Sequence, residues 1–125
     1  MEHVVQFPSG QLPTLSWLMA LLAEQNYPVQ MRMVDGDLTL PDEAPPGSWT
    51  EVRLGTPDGM VTLQRRGHEM RVVTWGSADP ALVRAWNALT WAVAMAGEGE
   101  IVGPGMVQNP EDFRRAVPMP EVLRP

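Results

Sequence analysis

The sequence predicts an α+β fold, a two-layer sandwich in which two helices pack on one face of a mainly antiparallel sheet. Three stretches can each be folded into a hairpin whose paired residues sort into an apolar and a polar face, as the two-residue repeat of a strand requires. Two other stretches place apolar residues at helical spacing. Because each strand has only one apolar face, the helices are expected to cover that face alone. The expected order is β-α-β-β-β-β-β-α-β, with about six strands in the sheet.

The first elements of the chain are a short strand and a helix. Residues 3–7 are rich in apolar side chains, and the Pro8-Ser9-Gly10 triplet ends the strand. The helix is expected to begin near Pro13, a residue tolerated in a first turn, and to end before Pro28. Its apolar stripe consists of Leu15, Leu18, Met19 and Leu22.

A hairpin is expected next, around the turn Asp35-Gly36. This register pairs Met33 with Leu38 and Met31 with Leu40, and it places both methionines on the inner face. The segment 41–48 (PDEAPPGS) is expected to be an exposed loop, because its prolines and glycine prevent a regular element.

The segment 51–75 predicts two hairpins in series. The first has a four-residue loop at 56–59, and the second has a two-residue loop at Arg66-Gly67, where glycine suits a positive φ. A slip of one residue would mix the polar and apolar faces. The expected apolar pairs are Val52 with Leu63, Leu54 with Val61, Val61 with Val72 and Leu63 with Met70.

The second helix is expected to begin at the cap Asp79 and to end at Gly97. Residues 100–102 are a candidate last strand, and Asn109 is expected to cap one or two helical turns. Prolines then predict an extended tail over residues 118–125, outside a single domain of residues 1–117.

The composition narrows the classes of function. A chain of 125 residues can bury a core, and the absence of cysteine excludes disulfides and thiolate chemistry. No apolar run is long enough to span a membrane and no signal peptide is evident, so we expect a cytoplasmic protein. The net charge of −6 and scattered basic residues disfavour nucleic acid as a partner. All nine basic residues are arginine, which is typical of GC-rich bacterial genomes.

No catalytic, cofactor or metal motif is present. The sequence lacks the nucleophile-elbow, phosphate-loop, dinucleotide and zinc-protease patterns. His3 stands near the N-terminus and His68 flanks a tight turn, so we expect neither to be catalytic. Neighbouring carboxylates are too few for a calcium loop and are typical of turns and caps. We therefore expect a protein with no cofactor and no metal, and more readily a binding module than an enzyme.

Trp75 is the most informative candidate residue. Strand alternation places Arg71, Val73 and Trp75 on the face opposite the helices. With Arg53 and Arg32 they would form an apolar and cationic patch on the open sheet face, and such residues are common in binding sites. The patch predicts an interaction with another protein or with a second copy of the chain. In the competing interpretation, Trp75 folds over the sheet end or is covered by the C-terminal tail.

A second hypothesis is a small-molecule binder or an enzyme. Its site would lie between the Pro41–Trp49 loop and the turn Gly103–Gly105, with Trp49, Asp42 and Glu43 as candidate ligand-binding residues. Such a site requires a concave pocket with convergent polar groups.

Overall fold

A computed structural model describes residues 1–77 and 79–125 of the chain. The strands are β1 (Glu2–Gln6), β2 (Gln30–Val34), β3 (Asp37–Leu38), β4 (Glu51–Thr56), β5 (Gly59–Arg66), β6 (Glu69–Val73), β7 (Glu100–Gly103) and β8 (Met106–Gln108). The helices are α1 (Leu15–Glu24), α2 (Pro80–Gly97) and α3 (Pro110–Ala116), followed by a 3₁₀ turn at Glu121–Leu123.

The described strands form one open antiparallel sheet in the order β3-β2-β4-β5-β6-β1-β7-β8. The predicted α+β class is confirmed, with eight strands in the described ranges rather than about six. The strand β8, which was not predicted, follows the tight turn at Gly103–Gly105, and the helical turns expected after the cap Asn109 are confirmed as α3. Within residues 1–77 and 79–125, no helix is both long and apolar enough to cross a membrane.

The two hairpins of residues 51–73 test the predicted register. The β4–β5 register is confirmed, with Val52 opposite Leu63. In the β5–β6 hairpin the loop is Gly67-His68 rather than Arg66-Gly67, so Leu63 lies opposite Val72. Gly67 takes the first loop position with a φ of 57°, a conformation that favours glycine in two-residue hairpins. The pairing therefore shifts by two residues, which leaves every side chain on its predicted face.

Strand β2 departs from the predicted alternation. Met31 lies opposite Leu54 on the inner face, but Met33 lies opposite Arg53 on the outer face, because a bulge at Arg32 shifts the register. The prediction that Met33 faces the core is therefore wrong. The predicted pair of Met33 with Leu38 is confirmed, whereas Leu40 lies outside the strand and is exposed.

The core lies between the inner face of the sheet and the helices. Helix α2 is held close to the sheet by buried alanines, and the indole Nε1 of Trp86 donates to the carbonyl of Val72 at 2.8 Å. Asp79 caps α2 as predicted, since its carboxylate accepts from the backbone N–H of Ala81. The sheet contributes the buried residues Val5, Met31, Val52, Leu54, Val61, Leu63, Met70, Val72 and Ile101.

The C-terminal segment packs against the helices. Met119 is 3% exposed and Leu123 is completely buried. The side-chain amide of Asn87 on α2 donates to the carbonyl of Pro118 at 2.8 Å, which anchors the start of the segment. Residues 118–125 therefore pack against residues 1–117 through Met119, Leu123 and the carbonyl of Pro118.

Candidate functional site

The face of the sheet opposite the helices is the candidate site, and we call it the open face. Directly paired residues of antiparallel strands point to the same side, so the register defines this surface. The open face carries Glu2, Val4, Gln6, Gln30, Met33, Leu38, Glu51, Arg53, Gly55, Met60, Thr62, Gln64, Arg66, Glu69, Arg71, Val73, Glu100, Val102 and Val107, and the side chain of the bulged residue Arg32 lies on it over Gly55.

Trp75 stands at the end of β6 and is 56% exposed, so it is not covered by the C-terminal segment. The guanidinium carbon of Arg53 lies 5.4 Å from the centre of a Trp75 ring, within the range of a cation–π interaction. The neighbouring Thr62 is almost completely buried. Together with Met60 these residues line a shallow hollow of about 290 Å³. The hollow combines an aromatic ring, a thioether and a cation.

Arg32 extends this cluster across the neighbouring strand. A Cβ atom placed on Gly55 would lie 2.8 Å from the Nε of Arg32 and 3.5 Å from the Sδ of Met60. The Arg32 side chain therefore lies close over the bare backbone of Gly55. The structure thus places the predicted residue Arg32 over Gly55, close to Met60, and the predicted residue Arg53 against Trp75.

The other two predicted patch residues, Arg71 and Val73, are less accessible to a partner. The Nη1 of Arg71 forms an ion pair with the Oε1 of Glu2 at 3.0 Å, and Val73 is half-buried. Sequence reasoning did not select Met60 or Glu2. Met60 could have been found, because the predicted β4–β5 register already placed it opposite Gly55 on the outer face.

The open face differs in charge from the rest of the molecule. Its four arginines balance its four glutamates, so the net charge of −6 resides on the remaining surface. The arginines are Arg32, Arg53, Arg66 and Arg71, and the glutamates are Glu2, Glu51, Glu69 and Glu100.

The residues of the alternative ligand site do not converge. The Pro41–Trp49 loop follows edge strand β3, whereas the turn Gly103–Gly105 precedes β8 at the opposite edge of the sheet. Trp49 is only 6% exposed, and the guanidinium carbon of Arg65 lies 5.0 Å from its ring centre. Trp49 is therefore a core residue.

The two carboxylates of this loop are exposed. A Glu43 carboxylate oxygen accepts from the backbone N–H of Leu40 at 3.1 Å, which closes a local turn, and Asp42 is exposed beside it. Neither carboxylate faces the turn at Gly103–Gly105, so the structure does not assemble these predicted residues into one pocket.

His3 is a structural residue of the covered face. Its ring stacks on Trp86 with a centroid distance of 3.6 Å, and Phe113 meets it edge-on at 5.2 Å. Its Nδ1 lies 2.9 Å from the Oγ1 of Thr90, whose hydroxyl donates to the carbonyl of Trp86. The Nδ1 atom of the neutral ring therefore carries the proton. Burial, helped by the nearby N-terminal charge, lowers the pKa of His3 from 6.5 to about 4.

Neither a search for metal-binding groups nor comparison with known proteins indicates another functional site. Across residues 1–77 and 79–125, no group of three His, Asp or Glu side chains could hold a metal ion. Comparison with protein-family models, curated proteins and solved structures gives no match to this chain. The open face is therefore interpreted from its own geometry.

Proposed function

We propose that this protein is a non-catalytic interaction module that pairs with a second copy of itself through the open face. The observation that carries the proposal is the cluster of Trp75, Arg53, Met60 and Arg32 on a sheet surface that no helix of the described chain covers. Tryptophan and arginine supply much of the binding energy in protein interfaces. Burial of Trp75 in an interface would also remove a large aromatic surface from water.

Charge supports a second copy as the partner. Two copies with a net charge of −6 repel each other over most of their surface. The open face is neutral, so the repulsion is smallest when the two copies meet there. Its alternating glutamates and arginines also permit pairing across a two-fold axis, where each patch must complement itself.

The size of the open face is compatible with a dimer. Eight strands at a spacing of about 4.8 Å span roughly 34 Å, and five residues of strand span about 17 Å. The planar area of about 600 Å² approaches the roughly 800 Å² of accessible surface that each partner buries in a standard interface.

Pairing through the sheet edges is less favourable. The edge strands β3 and β8 contain two and three residues, and such short edges offer few backbone groups to another strand. Face-to-face packing of the two sheets therefore fits the structure better than extension of the sheet.

The test compares two tryptophans of similar exposure on different surfaces. Trp75 on the open face is 56% exposed, and Trp17 on α1 is 60% exposed. In sedimentation-velocity experiments over a range of concentrations, Trp75→Ser is expected to weaken self-association at least about tenfold. The control Trp17→Ser is expected to associate like the wild type. A monomeric wild type at all concentrations, or equal association of both variants, would refute the proposal.

A further inference from the structure

A second group of four arginines lies outside the open face, on the helices and the C-terminal segment. Arg84 on α2, Arg114 and Arg115 on α3, and Arg124 in the C-terminal segment line one cavity of about 460 Å³. The cavity has no acidic residue in its lining, and Val117, Pro118 and Met119 supply apolar surface. Four of the chain's nine basic residues thus meet in one place, although they are far apart in the sequence.

Only two of these arginines are neutralised by the protein. The Nη2 of Arg114 lies 2.7 Å from a carboxylate oxygen of Glu111, and the Nη1 of Arg115 lies 3.6 Å from one of Asp112. For Arg84 and Arg124, no carboxylate of the described residues lies within 4.0 Å. Two of the four arginines that line the cavity, Arg84 and Arg124, are therefore not held in an ion pair.

We infer that this cavity binds a small organic molecule through a phosphate group. A concave surface lined by one sign of charge concentrates ions of the opposite sign. A phosphate carries a charge of about −1.5 to −2 at neutral pH, which matches the two free arginines, and the guanidinium fork binds its oxygens in a bidentate manner. The apolar lining accommodates the organic part, and the volume falls within the usual range of ligand pockets.

The inference does not depend on the open face, because none of the four arginines lies there. It also differs from nucleic-acid binding, since a polyanion would extend beyond the cavity onto an acidic surface. An excess of oligonucleotide is therefore expected to compete poorly for the site.

The experiment measures binding of phenyl phosphate, inorganic phosphate and benzoate by isothermal titration calorimetry at constant ionic strength. Phenyl phosphate is expected to bind most tightly, because it supplies both the dianion and an apolar ring. Benzoate is expected to bind at least about tenfold more weakly, since it carries one charge. NMR spectroscopy locates the site. The indole N–H resonance of Trp91 is expected to shift on binding, because the guanidinium carbon of Arg114 lies 5.2 Å from the centre of the Trp91 ring.

Variants separate a specific site from general charge. Arg84→Gln combined with Arg124→Gln is expected to weaken phenyl phosphate binding at least about tenfold, and Arg124→Gln alone does so in part. Arg124 is exposed, so the single variant retains the fold. Arg65→Gln removes a charge outside both the cavity and the open face, where the guanidinium lies over Trp49, and is expected to leave the affinity unchanged. The inference fails if wild type and double variant bind equally, if Arg65→Gln weakens binding as much, or if benzoate binds as well as phenyl phosphate.

Discussion

His3 illustrates how the surroundings of a side chain decide its chemistry. The sequence placed it beside the N-terminus, where a frayed and protonated ring would be unremarkable. Pairing of β1 with β6 instead turns it toward α2, between Trp86 and Phe113. The alternation of residues 3–7 could have indicated the covered face, but the contact with α3 depends on packing that no local pattern encodes.

The lowered pKa of His3 predicts a specific loss of stability in acid. Above pH 6.5 the ring is neutral in both the folded and the unfolded chain. As the pH falls toward 4 the unfolded chain takes up the proton first, so the free energy of unfolding decreases. We expect a loss on the order of 2 kcal/mol after allowance for the partial exposure of the ring.

Urea denaturation at a series of pH values checks this expectation. His3→Gln is expected to be less stable at pH 7 but to lose less stability between pH 6.5 and 4 than the wild type. The exposed His68→Gln should keep the wild-type profile. If the free energy of unfolding fell equally with pH in wild type and His3→Gln over this interval, the lowered pKa of His3 would be contradicted.

At Gly97, packing and helix propensity predict opposite effects of an alanine substitution on stability. Replacing glycine by alanine inside a helix usually stabilises by about 1 kcal/mol. At Gly97, however, the new Cβ would collide with the buried ring of Phe7 and with Pro13. We therefore expect Gly97→Ala to destabilise the protein by about 1–3 kcal/mol, because the core is already full. Gly47→Ala, with open space around its Cβ, should change stability by less than about 0.5 kcal/mol in the same chemical denaturation assay.

At the scale of single elements, the sequence predicts hairpins well and their details less well. The β4–β5 register follows from polarity together with the loop at residues 56–59, because polarity separates Val52 and Leu54 from Glu51 and Arg53 and the loop selects among the registers that do so. Polarity cannot distinguish registers that differ by two residues, which explains the shift at Gly67. The bulge at Arg32 was missed because a bulged strand abandons the two-residue repeat on which the prediction rests.

The C-terminal segment shows another limit of local patterns. Its prolines indicate an extended chain, but a 3₁₀ turn at Glu121–Leu123 interrupts it. Whether an extended segment packs depends on the surface beneath it, here the groove that receives Met119 and Leu123. The single apolar residues gave too weak a signal to predict this contact from sequence.

Two neighbouring residues test the packing of this segment. Leu123→Ala removes a completely buried side chain and is expected to lower the free energy of unfolding by about 2–5 kcal/mol. Val122→Ala changes a side chain that is 49% exposed, and we expect an effect within about 0.5 kcal/mol. Urea denaturation measures both variants, and a neutral Leu123→Ala would mean that the segment does not contribute to the core.

At the scale of the whole molecule, alternation in the strands and periodicity in the helices were sufficient to predict two layers and one uncovered face. They also selected Arg53 and Trp75, which the structure brings into contact. The arginine cavity could not be predicted, because its residues come from three segments whose association depends on how α2, α3 and the C-terminus pack. Sequence reasoning finds sites built on one sheet more readily than sites between elements.

The central claim is that the helices of the same chain cover one face of the sheet, and a second copy covers the other. Hydroxyl-radical footprinting of the wild-type protein tests it directly, with oxidation at each site measured by mass spectrometry over a range of protein concentrations. We expect Trp75 and Met60 to become protected as the concentration rises, while Trp17 on α1 remains oxidised. Equal oxidation of Trp75 and Trp17 at every concentration would contradict the claim.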